Sequence, residues 1–418
     1  MTRDERQTIS IQRWRDFKGK AVVEGATGYG KSYVALKIIK QLVVKKNDLT
    51  VLIVVPTTTL KEQWEDLLRD WEVDMNCFVL VINTAIKTNH VCDLLVIDEI
   101  HRTASDTFKT IFDCVKYKWI LGLTATLKRV DERHSIIEKY CPICDKISLV
   151  EAMANGWVSN YKEYLVLLKP DDIDDYIELN TQFNKYFEFF NYDFGKVMAC
   201  CGPTGWRYQL RLRDEMCPNG TEQQKSDTLK SIKINSAQFM RLLQKRKQYI
   251  NYHPKKLEVT QRIIDARPNS KIITFSNNVK MAESIPTGKC YTGKDTKKKG
   301  RATIEEIRKG DIRVLNTVSK ANEGMSIPDL SVAIMLGIDS SGIKAVQRTG
   351  RVIRFADNKT AEVFNLVLED TVEVNWFTNA HNKDNPYIVI DEEGLEQVLR
   401  GEEPKLYKKK LKNFIFRF

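Results

Sequence analysis

With 418 residues, 42% apolar and 29% charged side chains and a formal net charge of +11, the chain is long enough for two or three domains with cores of their own. Apolar runs such as VLIVV at 51–55 are too short to span a bilayer, and MTRDERQT lacks the apolar middle of a secretory signal, so no membrane association and a cytoplasmic location are expected. Nine scattered cysteines fit a reducing compartment, and the Cys141/Cys144 pair of YCPIC has no second pair or histidines at zinc-site spacing, which favours packing over a metal.

In chain order, an amphipathic first helix carrying Gln7, Ile11, Gln12 and Trp14 precedes the strand KAVVEG at 20–25. GATGYGKS at 25–32 then opens the helix SYVALKIIKQLV. The short apolar runs VLIVV at 51–55, FVLVI at 78–82, LLVI at 94–97 and WILGL at 119–123 read as strands buried on both faces of a parallel sheet. Polar segments follow these strands directly: the glycine-rich loop, PTTT, DEIH and TAT. Open α/β sheets bind ligands at the carboxyl ends of their strands, so these segments should converge on one cleft.

A further strand is expected at 161–168, and a second set at 271–276, 314–319, 332–336 and 362–367 makes another α/β domain without a phosphate loop. Between about 170 and 255 the sequence becomes polar, aromatic and helical, which reads as an insertion in the second domain. The expected division is domain 1 over 1–152, domain 2 over 153–385 and a basic, aromatic tail over 386–418. Basic clusters at 244–248, 294–301 and 405–418 favour phosphate backbones as partners.

In GATGYGKS, Gly25, Thr27, Gly28 and Gly30 let backbone N–H groups turn toward the phosphates of a nucleotide. Lys31 adds a positive charge there, and the Ser32 hydroxyl can ligate Mg²⁺. Asp98 and Glu99 after LLVI supply one acid for Mg²⁺ and a neighbour to orient or deprotonate the attacking water.

This set resembles the superfamily 2 DExH helicases and translocases. GATGYGKS is similar to their motif I, VVPTTTLKEQW at 54–64 to Ia, DEIH to II, and LTATLKR at 123–129 to III. TFSNN at 274–278 is similar to IV, NTVSKANEGMSIP at 316–328 to V, and QRTGRVIR at 347–354 to VI. The resemblance implies two RecA-like domains in tandem closing on ATP and Mg²⁺, with Arg351 and Arg354 reaching the γ-phosphate and Gln347 and His101, with Thr124 and Thr126, coupling that cleft to nucleic acid. It also implies an adenine-reading glutamine, Gln7 or its rival Gln12, and a close backbone approach at Gly324. Ser326 stands where the family often has an acid.

Threonines and asparagines at strand ends, namely Thr57, Thr84, Thr126, Asn277 and Thr317, are candidates for phosphate contacts along one strand. Helical spacing of the insertion's aromatics, Phe190 and Trp206 among them, favours core packing; the alternative is that some rings stack on bases as a strand-separating wedge, with QLRLR and QKRKQ holding the arms of the junction. Within the superfamily the chain is most similar to phage UvsW-type branch-migrating helicases and their XPB and RecG-like relatives. The expected activity is ATP-driven unwinding or branch migration of forked DNA by a monomer, in host cytoplasm if phage-encoded. An RNA helicase, a restriction-type motor subunit and a DNA-binding switch that does not unwind are the alternatives.

Overall fold

The computed structural model describes residues 1–127, 132–318, 327, 329–338, 360–381 and 386–408. Among these, the first sheet has the order β3-β2-β4-β5-β1-β6, from β1 (Lys20–Gly25), β2 (Val51–Val55), β3 (Cys77–Val81), β4 (His90–Asp98), β5 (Val115–Thr124) and β6 (Ile143–Ile147). All its pairings are parallel. Its central strands are unbroken apolar runs because both faces are covered. Helices α1 (Arg3–Asp16), α2 (Lys31–Lys45) and α3 (Thr58–Asp70) bury Trp14, Ile38 and Trp64 against one face, while Ile100, Phe112, Leu127 and Cys141 pack on the other.

A second parallel sheet follows, with the order β13-β7-β12-β11-β8-β10-β9. Its strands are β7 (Asn160–Leu168), β8 (Lys271–Ser276), β9 (Lys289–Tyr291), β10 (Val314–Val318), β11 (Leu330–Met335), β12 (Thr360–Leu368) and β13 (Ile388–Ile390). Between β7 and β8 lie the helices Ile173–Glu188, Phe194–Cys201, Gly205–Met216 and Glu222–Tyr252, then Pro254–Asp265 leading into β8. The architecture is thus two RecA-like sheets in tandem with a helical insertion in the second, as the strand pattern implied. The helix Leu149–Ala154 joins the two: Leu149 and Met153 pack against cores of both sheets. No helix among the described residues is long and apolar enough to cross a membrane.

Two segments differ from the sequence reading. Residues 143–147, which begin with the last two residues of YCPIC, form an edge strand beside β1, and burial pushes the Cys141 and Cys144 thiols up to about 12, keeping them protonated. The stretch from 386 is not all tail: β13 pairs with β7, and Asp391 caps the helix Glu392–Leu399, whose Leu395 and Val398 are buried. Three residues are too few for a strand to show an alternation of its own.

Candidate nucleotide site and coupling network

Strands β4, β5 and β1 are neighbours, with Asp98 paired to Leu123 and Glu24 to Thr124. The glycine-rich loop, TAT and DEIH therefore emerge side by side. Gly28 and Gly30 have φ of 88° and 96°, a region that other residues enter only with strain, so the loop needs glycine there. The loop ends where Gly30 caps α2, so the N-terminus of that helix opens onto it. Lys31 and Ser32 sit half-buried in the first turn, and Lys31 Nζ donates to Gly25 O at 2.8 Å and Ala26 O at 3.4 Å. Gly25 and Thr27 lie on the same loop, Gly25 at the end of β1.

Asp98 ends β4. Burial and the adjacent Glu99 carboxylate push its carboxyl up to about 6, against the opposing influence of a hydrogen bond from Trp64 and the charge of Lys31. Burial also raises Glu99, but the His101 imidazole and the charges of Lys31 and Arg102 outweigh it and leave that carboxyl below its ordinary value. Glu99 has φ of 53°, a left-handed conformation rare for a side-chain-bearing residue and typical of strained functional positions. Its Oε2 is buried without a hydrogen-bond partner, with His101 Nδ1 standing 3.4 Å away. An orphaned carboxylate oxygen beside Asp98 and Lys31 fits a site completed by a metal-bound nucleotide and its water.

His101, 4% exposed, reaches Thr124 Oγ1 at 3.0 Å through Nδ1. Thr124 in turn donates to Thr126 O at 3.0 Å and accepts from Thr126 N at 3.2 Å. An unbroken series of contacts thus runs from Glu99 into the TAT turn.

Helix α1 starts with a Thr2/Glu5 capping box and brings Gln7 onto the loop, where Nε2 donates to Tyr29 O at 3.3 Å and Gly30 O at 3.4 Å. Gln12 is exposed and bonds to Asp16. The helix is pinned by Arg6, which donates to Asp145 of β6 at 2.6 and 2.9 Å and to Glu151 of the joining helix at 2.8 Å. Ser10 and Arg13 also donate to Asp145.

The remaining candidates are dispersed. Thr57 caps α3, accepting from Leu60 N at 3.3 Å, and Thr84 is exposed in the short helix Ile82–Ala85 after β3. Asn277 Nδ2 donates to Asn251 Oδ1 at 3.2 Å, linking the end of β8 to the insertion's long helix. Thr317 is a correction: it is fully buried, and its hydroxyl donates to Thr274 O at 2.8 Å, so it has no face toward a phosphate. Phe190 follows the core reading, forming the insertion's core with Phe183, Phe187 and Phe239, whereas Trp206 is 58% exposed with the Arg207 guanidinium 5.1 Å from its ring. Arg246 of QKRKQ is buried, 4.0 Å from the Phe183 ring, and does not face a nucleic-acid arm. Gly324, Gln347, Arg351 and Arg354 lie outside the described residues.

Sequence reading missed Trp64, Glu24, and the Arg6–Asp145 pair. Only Trp64 had a signal, as the end of VVPTTTLKEQW.

Comparison with known proteins agrees with this geometry. The family described as the type III restriction enzyme res subunit matches residues 2–91 and 82–129, and the helicase conserved C-terminal domain matches 255–356. The chain is 24% identical over 399 residues to the DNA 3'-5' translocase XPB2 of Sulfurisphaera tokodaii, covering 88% of this chain and 82% of that protein. Its fold is similar to the Hef helicase domain of Pyrococcus furiosus, with a TM-score of 0.54 and 15% identity over 89% of this chain and 96% of that one. It is also similar to S. cerevisiae Dbp5 bound to RNA and ADP BeF3, with a TM-score of 0.59 and 12% identity over 94% and 91% of the two chains. The chain carries a superfamily 2 DExH-type helicase/ATPase domain, broadly related to XPB-like and other helicases of that superfamily, and is an ATP-dependent nucleic-acid helicase or translocase of that class.

Proposed function

We propose that this motor acts on DNA, unwinding or branch-migrating forked and four-way junctions in replication, recombination or repair, as the UvsW-type resemblance implies. The observation that carries the DNA assignment is the similarity to a DNA translocase across 88% of the chain. Likeness to the RNA-bound structure is one of fold alone, and RNA is therefore an outcome of the test.

In this reading the loop Gly25–Ser32 cradles the β- and γ-phosphates, with Lys31 offsetting their charge, and Gln7 reads the adenine. Ser32 and Asp98 would hold Mg²⁺, which supplies charge neutralisation at the phosphates. Glu99, held in its conformation beside His101, orients the attacking water and takes its proton. Arg351 and Arg354, with Gln347 and Gly324, complete the site from the second domain. His101, Thr124 and Thr126 relay its state to the strand held by Thr57, Thr84 and Asn277, and Trp206 stacks on a base at the junction.

The test is ATP-dependent strand separation on forked DNA, four-way DNA and an RNA duplex, with Lys31→Ala as control. Displacement of the DNA substrates that Lys31→Ala abolishes is expected. Activity on RNA alone, or no strand movement on any substrate, would overturn the proposal.

A further inference from the structure

Glu24 is a buried carboxylate in a strand that is otherwise apolar beyond its exposed first residue, Lys20, and it directly precedes the glycine-rich loop. It is 5% exposed and flanked by β5 and β6, paired with Thr124 on one side and Lys146 on the other. A carboxylate in such a place costs stability unless its oxygens are satisfied. Oε2 accepts from Leu127 N at 2.9 Å, and Oε1 lies 3.3 Å from Lys146 Nζ. Leu127, itself fully buried, follows the TAT turn, whose Thr124 hydroxyl touches His101. The turn is thus gripped at two points: by His101 from the DEIH side, and by Glu24 from the strand that carries the phosphate loop.

We infer that Glu24 is a positioning residue that ties the segment after β5 to the nucleotide-loop strand, so that movement of the loop on nucleotide binding is passed to the coupling turn. This rests on the motor reading of the same site. The grip is a backbone N–H donating to a carboxylate, a charge-assisted bond stronger than the neutral contacts within the turn. It needs an acceptor at this point and no proton transfer, so glutamine, which keeps an amide oxygen there, preserves the geometry, whereas leucine leaves the Leu127 N–H orphaned.

The experiment measures kcat and KM for ATP with and without the nucleic-acid strand that stimulates the wild type. In Glu24→Leu the stimulation ratio should fall roughly tenfold with KM for ATP little changed, and Glu24→Gln should restore it. Combined with His101→Ala, the losses should be less than additive, because both act on one turn. Hydrogen exchange at the Leu127 amide of the wild type, with and without Mg-ATPγS, gives a reading that does not depend on how any variant folds: protection should change with nucleotide. An unchanged stimulation ratio in a folded Glu24→Leu, a proportional fall of basal and stimulated rates, or Leu127 protection indifferent to nucleotide would each overturn the assignment of Glu24 alone. Absence of stimulation in the wild type would overturn the motor reading and this inference together.

Discussion

Trp64 Nε1 donates to Asp98 Oδ2 at 2.9 Å, so a tryptophan on α3 holds the acid at the end of β4 from 34 residues away. The indole is 1% exposed and packs in the first sheet's core; its N–H is the polar handle such a ring needs a partner for when buried. It fixes one carboxylate oxygen, while the other accepts from Glu99 N at 3.0 Å. Trp64→Phe keeps most of the packing and removes the donor. Orienting partners of metal-ligating groups are worth about 10- to 100-fold in metal affinity, so the Mg²⁺ concentration giving half-maximal ATPase should rise by at least the lower figure. A Mg²⁺ titration identical to wild type would show that Asp98 needs no such support.

The Gln7 side chain on α1 donates to the glycine-rich loop, while Gln12 lies on the solvent face of the same helix. Gln7→Ala should raise KM for ATP roughly tenfold and narrow the preference for ATP over GTP, because a site built to hydrogen-bond one base loses its discrimination with the bond. Gln12→Ala should leave both within about twofold, as exposed polar substitutions do. Steady-state kinetics with the two nucleotides separate the residues.

Asp145 links α1, β6 and the joining helix through Arg6, and its side chain is fully buried. Burial raises its carboxyl, but hydrogen bonds from Arg6 and Ser10 and the charges of Arg6 and Arg13 outweigh that and hold it below the ordinary 3.8. A carboxyl depressed on folding contributes stability that is complete above its unfolded value and lost as pH falls through the folded one, so this contribution should fade below about pH 4. Asp145→Asn should destabilise by about 3 kcal/mol near neutral pH, because the buried Arg6 keeps only the partly exposed Glu151 as counter-charge. The gap to wild type should close on acidification. Urea unfolding across the acid range checks this; parallel curves would argue against it.

Phe190 and Trp206 should part company under substitution. Phe190→Ala opens a cavity in the insertion's core and should cost about 3–5 kcal/mol. Trp206→Ala, at an exposed ring, should stay within about 0.5 kcal/mol of wild-type stability while lowering strand displacement and sparing nucleic-acid-stimulated ATPase. Thermal unfolding beside gel-based unwinding distinguishes the two, and retained unwinding in Trp206→Ala would remove the ring from the junction.

The glycine-rich loop after β1, the adjacent acids at the end of β4 and the two sets of strands were legible because they depend on local chemistry. A tight turn demands glycine, a strand covered on both faces demands an apolar run, and an acid placed at a strand end needs only its neighbours along the chain. What the linear order could not express was which groups meet across elements. Trp64 and Asp98, Arg6 and Asp145, and Glu24 and the Leu127 amide are each brought together by strand order and helix packing, over separations of 34, 139 and 103 residues. The same limit explains the misreadings in the second domain. Thr317 and Arg246 carry the polar atoms that a nucleic-acid contact requires, and only the surrounding fold decides whether those atoms face solvent or are consumed inside. Sequence alone determined the fuel and the architecture; tertiary structure decided which side chains hold the two acids, the helix of Gln7 and the TAT turn in place, because a buried polar group takes its role from whatever partner the fold brings within hydrogen-bond reach.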